Sequence, residues 1–126
     1  MTSIKLVLLG VTLGGTMFRS EQAVNKNTIY LEGEITIYQV AELKQQIFAV
    51  INDTQELEIN LAQVTEIDSA GIQLLMFIKK QRLIFGKPLA LTEHSKVVLD
   101  LFELMDLVTY FNDPVVLIDS EENNNE

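Results

Sequence analysis

The sequence has no cysteine, no tryptophan and one histidine, His94. Without cysteine there is no disulfide framework, no thiolate metal site and no catalytic thiol. A single histidine leaves few of the nitrogen ligands that transition metals prefer, so we expect neither a metal nor a cofactor. A chain without cysteine also suits a reducing compartment, and we expect a cytoplasmic protein.

Basic residues are also scarce. The chain carries nine Lys and Arg against 18 Asp and Glu, which gives a formal net charge of −9. Such a surface repels phosphate backbones and anionic lipids, so we expect neither nucleic acid nor an anionic membrane as the main partner. The apolar run at residues 4–10 is far shorter than the roughly 20 residues that span a bilayer, so we expect no direct membrane insertion. It lacks an A-x-A cleavage site, which disfavours a signal peptide.

The length and apolar content fit one domain with short additions at both ends. A chain of 126 residues with 48% hydrophobic side chains can bury a core of its own. We divide it into an N-terminal extension or extra strand at residues 1–16, a main domain at 17–118 and an acidic, disordered tail at 119–126.

The N-terminal extension has two further interpretations. Gly10 and Gly15 have the spacing of a phosphate-binding P-loop, but Thr16 stands where that motif requires lysine. A nucleotide-binding domain is therefore the weaker hypothesis. The apolar strand could instead add to the sheet edge of a second copy, which would make a homodimer.

Apolar periodicity predicts alternating strands and helices. Alternation every second residue predicts strands, and apolar residues three or four positions apart predict helices. The predicted strands are residues 18–24, 28–33, 57–61, 89–92 and 107–111, with Gly33 and Glu34 as a break. The predicted helices begin at Thr36, with Gln39 completing a capping box, and at residues 70 and 96. This order favours an α/β fold with a mixed sheet.

The stretch at residues 66–72 joins the central strand to the longest predicted helix. Asp68 suits a helix N-cap. The next residue, Ser69, carries a hydroxyl that a kinase can phosphorylate. Ala70 and Gly71 are small, which leaves the hydroxyl open to approach. A helix N-terminus favours an anion, so we interpret Ser69 as a residue that is reversibly phosphorylated. An ordinary helix cap without regulation is the alternative.

Three segments in this order resemble the STAS domain, named after sulfate transporters and anti-sigma factor antagonists. They are the run Asp68-Ser69-Ala70-Gly71, an earlier segment at 31–35 and a later one at 101–107. The resemblance extends over roughly residues 17–111. It implies a four- to five-stranded mixed sheet with helices packed mainly on one face.

The resemblance also implies a function. Such proteins act as anti-sigma factor antagonists in partner-switching pathways. An anti-sigma factor or related serine kinase phosphorylates them, a PP2C-like phosphatase restores them, and only the unphosphorylated form binds the kinase. On this basis Ser69 is the phosphoacceptor, and Asp68, Ala70 and Gly71 contact the partner. The resemblance places Glu32, Gly33 and Glu34 in a loop near the same turn, as further partner contacts.

The sequence has two alternatives to this function. The first is a constitutive STAS subunit that docks on a membrane transport complex, and it differs in leaving Ser69 without phosphate. The second is an enzyme built on Ser69 and His94. The chain has no G-x-S-x-G nucleophile elbow, so we expect no catalytic residues and no enzymatic activity.

Overall fold

The computed structural model of the chain describes residues 6–51 and 56–112. Its elements, in order, are strands β1 (Leu6–Val11), β2 (Met17–Gln22) and β3 (Lys26–Ile35), helix α1 (Val40–Val50), strand β4 (Glu56–Ile67), helix α2 (Ser69–Ile84), strand β5 (Leu89–Thr92), and helices α3 (Lys96–Leu104) and α4 (Val108–Asn112). The tail expected at 119–126 lies outside the described residues.

The five strands form one mixed sheet in the order β1-β2-β3-β4-β5. The first three strands pair antiparallel, and β3, β4 and β5 pair parallel. Parallel neighbours require crossover connections, which α1 and α2 supply, and right-handed crossovers in one direction place both helices on the same face. The α/β class and the mixed sheet expected from the sequence are confirmed.

The core lies between this helix-covered face and the helices. Alternate strand residues such as Ile29 and Ile59 are fully buried, and so are Leu43 of α1, Ile72 of α2 and Val98 of α3. Because side chains alternate across a strand, the intervening strand residues point to the opposite, open face. One-sided packing of the helices is therefore explained by the period-two pattern of the strands.

Strands β3 and β4 are longer than the sequence predicted. Gly33 and Glu34 do not break β3, which continues to Ile35, and β4 continues to Ile67 instead of ending at residue 61. Two register shifts in the β3–β4 pairing keep the strands together, and Gly33 takes a φ of 107° beside the second shift. Such irregularities change the alternation on which the prediction depended.

Two further predictions, one of a strand and one of a helix start, also need correction. The segment at 107–111, expected as a strand, forms α4, because Phe111 donates its N–H to the carbonyl of Leu107 and stacks its ring on Phe102 at 4.9 Å. The first helix begins at Val40, not Thr36. Thr36 and Gln39 hydrogen-bond as expected, but they close a turn that precedes the helix.

The P-loop alternative does not fit this topology. Gly14 and Gly15 lie in the turn of the β1–β2 hairpin, where the N–H of Gly15 bonds the carbonyl of Thr12 at 3.0 Å. A strand follows the glycines, whereas a P-loop opens into a helix that binds phosphate at its N-terminus.

A charge cluster on the open face links the three parallel strands. Glu58 of β4 lies 2.6 Å from the ammonium of Lys26 and accepts a 2.6 Å hydrogen bond from the Thr92 hydroxyl. Partial burial disfavours the charged carboxylate, but the hydrogen bonds from Lys26 and Thr92 outweigh it and hold the pKa of Glu58 below its ordinary value. Glu58 therefore stabilises the folded chain when ionised.

We predict that Glu58→Gln lowers the free energy of unfolding by about 1 kcal/mol at pH 7. The contribution of Glu58 exists above the ordinary carboxyl pKa and disappears as the pH falls through the lower pKa of the folded state. Urea unfolding of both chains from pH 7 to pH 3 measures this, and the two stabilities should converge at the acidic end. A constant difference across that range would show that the charge of Glu58 has no part in it.

Candidate functional site

The N-terminus of α2 is fixed by the Asp68 side chain. Asp68 is the N-cap, with extended backbone dihedrals, and its Oδ1 accepts a 3.0 Å hydrogen bond from the N–H of Gly71. Its carbonyl accepts the N–H of Ile72 at 3.0 Å, which is the first intrahelical bond. The helix start expected near residue 70 is thus confirmed, with Asp68 in the capping role.

The second oxygen of Asp68 reaches a different element. Oδ2 accepts a 3.0 Å hydrogen bond from the N–H of Ile37, in the turn that joins β3 to α1. The N–H of Asp68 itself approaches the carbonyl of Ile35 at 3.4 Å. One carboxylate therefore connects the start of α2 to the turn before α1. If either of these two segments moved relative to the other, a charge-assisted hydrogen bond would be lost.

Gly71 brings α2 against the end of β3. A Cβ on Gly71 would lie 2.3 Å from the carbonyl oxygen of Ile35 and 2.8 Å from Cγ1 of Ile67. Gly71 is buried, so its place in the motif is explained by this close approach. The sequence interpretation gave it a role in keeping Ser69 accessible, whereas the structure gives it a packing role.

Ser69 is exposed at the first position of α2, directly after its cap. Helix N-termini carry about half a positive charge, which stabilises an anion placed there. The 16-residue helix α2 begins at Ser69, so an anion at this position would lie at the positive end of the helix dipole. The neighbouring Ala70 is half-buried.

The acidic residues proposed as partner contacts lie at different places in β3. Glu34 pairs with Glu66 of β4, one position before the pair Ile35–Ile67, so both carboxylates lie near the sheet end where Asp68 follows. Glu32 pairs with Gln63 and lines a shallow depression on the open face. Glu32, Gly33 and Glu34 all lie in strand β3 and not in the loop that the resemblance implied, because β3 continues to Ile35.

An apolar groove of about 880 Å³ runs between α1 and α2. It begins beside Ile37, in the turn that precedes α1. Phe77 forms part of its wall, with the Phe48 ring 5.7 Å away and the Lys44 ammonium 4.0 Å above its face. The lining residues are Ile37, Val40, Ala41, Lys44, Gln45, Phe48, Ala70, Gln73, Leu74, Phe77 and Gln81. None of them is acidic, although the chain carries a charge of −9.

The turn before α1 adds exposed apolar surface to the groove. Ile37 is 61% exposed and Tyr38 is 88% exposed, and the N–H of Ile37 is the group held by Asp68. Sequence analysis did not identify these two residues or the groove. The available signal was the apolar pair directly after Thr36, at positions where the start of a helix does not require apolar side chains.

His94 has a packing role in this structure. Its ring meets Phe102 of α3 edge to face at 5.5 Å, and burial lowers the pKa of its imidazole. Within residues 6–51 and 56–112, no group of three or more His, Cys, Asp or Glu residues is arranged to hold a metal ion. In the same part of the chain, no helix is long and apolar enough to cross a bilayer.

Comparison with known families assigns the chain to a class. A family model described as "Mlab, STAS domain" matches residues 18–117, which is most of the chain. The protein therefore belongs to the STAS domain family, as the segment at 68–71 indicated. No curated protein sequence matches it significantly.

Solved structures show the same fold at low sequence identity. The unphosphorylated anti-sigma factor antagonist SpoIIAA superposes with a TM-score of 0.61 at 20% identity, over 71% of this chain and 81% of that one. The murine anion transporter Slc26a9, in its inward-facing state, matches with a TM-score of 0.59 at 13% identity. That match covers 82% of this chain but 18% of the transporter.

We predict that Gly71→Ala destabilises the protein by about 2–3 kcal/mol, because the new methyl group would overlap the backbone of Ile35. Chemical denaturation measures the loss. The control is Ala70→Gly, which changes the adjacent position by the reverse substitution and should cost at most about 1 kcal/mol. Equal, small effects of both substitutions would refute the close approach.

Proposed function

We propose that this STAS protein is a phosphorylation-switched binding module, an anti-sigma factor antagonist in a partner-switching pathway, with Ser69 as the phosphoacceptor. The observation that carries the proposal is the position of Ser69. Its hydroxyl is exposed at the N-terminus of α2, beside an apolar groove and a turn that also exposes apolar side chains. A negative charge added to Ser69 would directly change the electrostatics of the adjoining apolar surface, which we propose as the binding site.

Phosphorylation changes the electrostatics of this surface more than its shape. A phosphoserine adds about −1.5 to −2 charges and three strong acceptors. The helix N-terminus stabilises that charge within the protein. A partner that buries the neutral hydroxyl would have to desolvate the phosphate, and every 1.4 kcal/mol lost is about a tenfold loss of affinity. Nearby Glu34 and Glu66 add to the repulsion of an acidic partner.

The proposed contact surface consists of the groove, Ile37 and Tyr38. Exposed aromatic and aliphatic residues at a surface next to a groove are typical of protein-binding sites. Asp68 positions one end of this surface through Ile37, and Ala70 contributes from α2. Glu34 would contact the partner at the rim, while Glu32 and Gly33 lie further from the turn along β3.

The partners follow from the same proposal. An anti-sigma factor or related serine kinase binds the unphosphorylated form and modifies Ser69, and a PP2C-like phosphatase removes the phosphate. The chain itself has no enzymatic activity, and it works in the cytoplasm. The fold similarity to unphosphorylated SpoIIAA, an anti-sigma factor antagonist, supports this proposal.

The second candidate is a constitutive STAS subunit that docks on a membrane transport complex. The structural match to the anion transporter Slc26a9 favours it, since that chain includes the same fold. In that case the groove and the turn before α1 serve as a permanent contact. Ser69 then acts only as the first residue of α2, and a charge at this position is not part of the mechanism.

We predict that a negative charge at position 69 weakens kinase binding at least tenfold without affecting the fold. The partner kinase is first captured from the native host with the wild-type chain, and dissociation constants are then measured for Ser69→Ala and Ser69→Glu. Ser69→Ala should bind as wild type does, because it stays neutral. Thr109→Glu is the matched control, since it places the same charge on another exposed hydroxyl position and should bind normally.

Three outcomes separate the candidates. Selective weakening by Ser69→Glu supports the switch. Equal binding of all four chains to a kinase contradicts it. Recovery of a membrane transport subunit that binds wild type and Ser69→Glu alike identifies the second candidate instead.

A further inference from the structure

The outer edge of β1 is apolar and uncharged. Leu9 is 72% exposed, and Val7 and Val11 are about half exposed. Residues 6–18 form a run of 13 without a charged side chain, in a chain whose net charge is −9. An exposed apolar strand at a sheet edge is a template for pairing with another strand.

The hydrogen bonds of the β1–β2 hairpin show which backbone groups face outward. The N–H of Thr12 bonds the carbonyl of Thr16 at 2.8 Å, and antiparallel pairs alternate between bonded and non-bonded positions. The N–H and C=O groups of Val7 and Leu9 therefore point away from β2. The carbonyl of Val11 also points away from β2, and it accepts a 3.0 Å hydrogen bond from the Gln46 side chain.

The open part of this edge is thus short and well defined. Among the described residues, none forms a hydrogen bond with the outward groups of Val7 or Leu9. Their side chains share the open face of the sheet, where Leu9 pairs with Arg19 and Val7 pairs with Glu21. The edge therefore presents two donors, two acceptors and two apolar side chains.

The opposite edge of the sheet is protected, which makes β1 unusual within this molecule. Strand β5 has only four residues, directly follows Pro88, and packs against α4. Short length, proline and a covering helix are all features that prevent edge pairing. Strand β1 has six residues in regular register with β2, without proline, charge or a bulge.

We propose that β1 pairs antiparallel with β1 of a second copy across a twofold axis, which makes one continuous sheet. A twofold antiparallel pair is self-complementary, because the donors and acceptors of one strand meet the acceptors and donors of its twin. Two chains of charge −9 repel each other, and the uncharged run at 6–18 is where they can approach. This dimer does not depend on Ser69 or its partner.

The test is the mass of the full chain in solution, by size-exclusion chromatography with light scattering. The wild-type protein should have twice the 14.2 kDa mass of one chain. Leu9→Lys should be monomeric, because it would add two positive charges at the contact between the two paired β1 strands. Ile84→Lys should remain dimeric, since Ile84 is equally exposed, at 71%, but lies on α2. Circular dichroism and thermal melting confirm that each variant is folded.

A monomeric wild-type chain overturns the proposal, and so does a dimer that Leu9→Lys leaves intact. Cross-linking locates the contact, because the sequence has no native cysteine. We expect an intermolecular disulfide under an added oxidant in one of three samples: Val7→Cys, Leu9→Cys, or an equimolar mixture of the two. The sample that forms it shows which residues of the two β1 strands lie opposite each other. Ile84→Cys should not. A dimer without cross-linking at positions 7 and 9 would also refute the pairing.

Discussion

The two hydrogen bonds to the Asp68 carboxylate hold the proposed binding surface in place. One oxygen caps α2 through Gly71, and the other holds the N–H of Ile37 in the turn before α1. The close approach of Gly71 to Ile35 sets the same junction from the backbone side. These contacts therefore link the groove, the turn and the helix start, and Ser69 is exposed at the first position of α2.

The position of Ser69 beside these contacts determines what kind of switch we propose. In the proposed switch, the helix N-terminus would stabilise a phosphate on Ser69, so we expect phosphorylation to leave the fold intact and to change only what the surface can bind. Such a switch would need no conformational change, and its output would depend on which partner tolerates the charge. The β1 edge proposed for pairing lies in the uncharged run at 6–18, which makes self-association a separate property of the same sheet.

The sequence predicted the features that depend on local patterns. Alternation and helical spacing identified the mixed sheet, and the Asp68 cap marked the start of α2. The prediction from sequence was wrong where tertiary contacts determine the secondary structure. Strand β3 continues through Gly33 because its register with β4 shifts. Residues 107–111 are helical because Phe111 stacks on Phe102. The groove was missed because it requires two helices to meet, which no single segment shows.

The most direct test of the central claim is the intact mass of the protein isolated from its native host, with peptide mapping around Ser69 and Ser69→Ala as the reference. The account predicts a fraction of molecules heavier by one phosphate, about 80 Da, located on Ser69 and absent from the Ser69→Ala chain. If Ser69 stays unmodified under varied growth and stress conditions, the phosphorylation switch is contradicted and permanent docking becomes the better explanation.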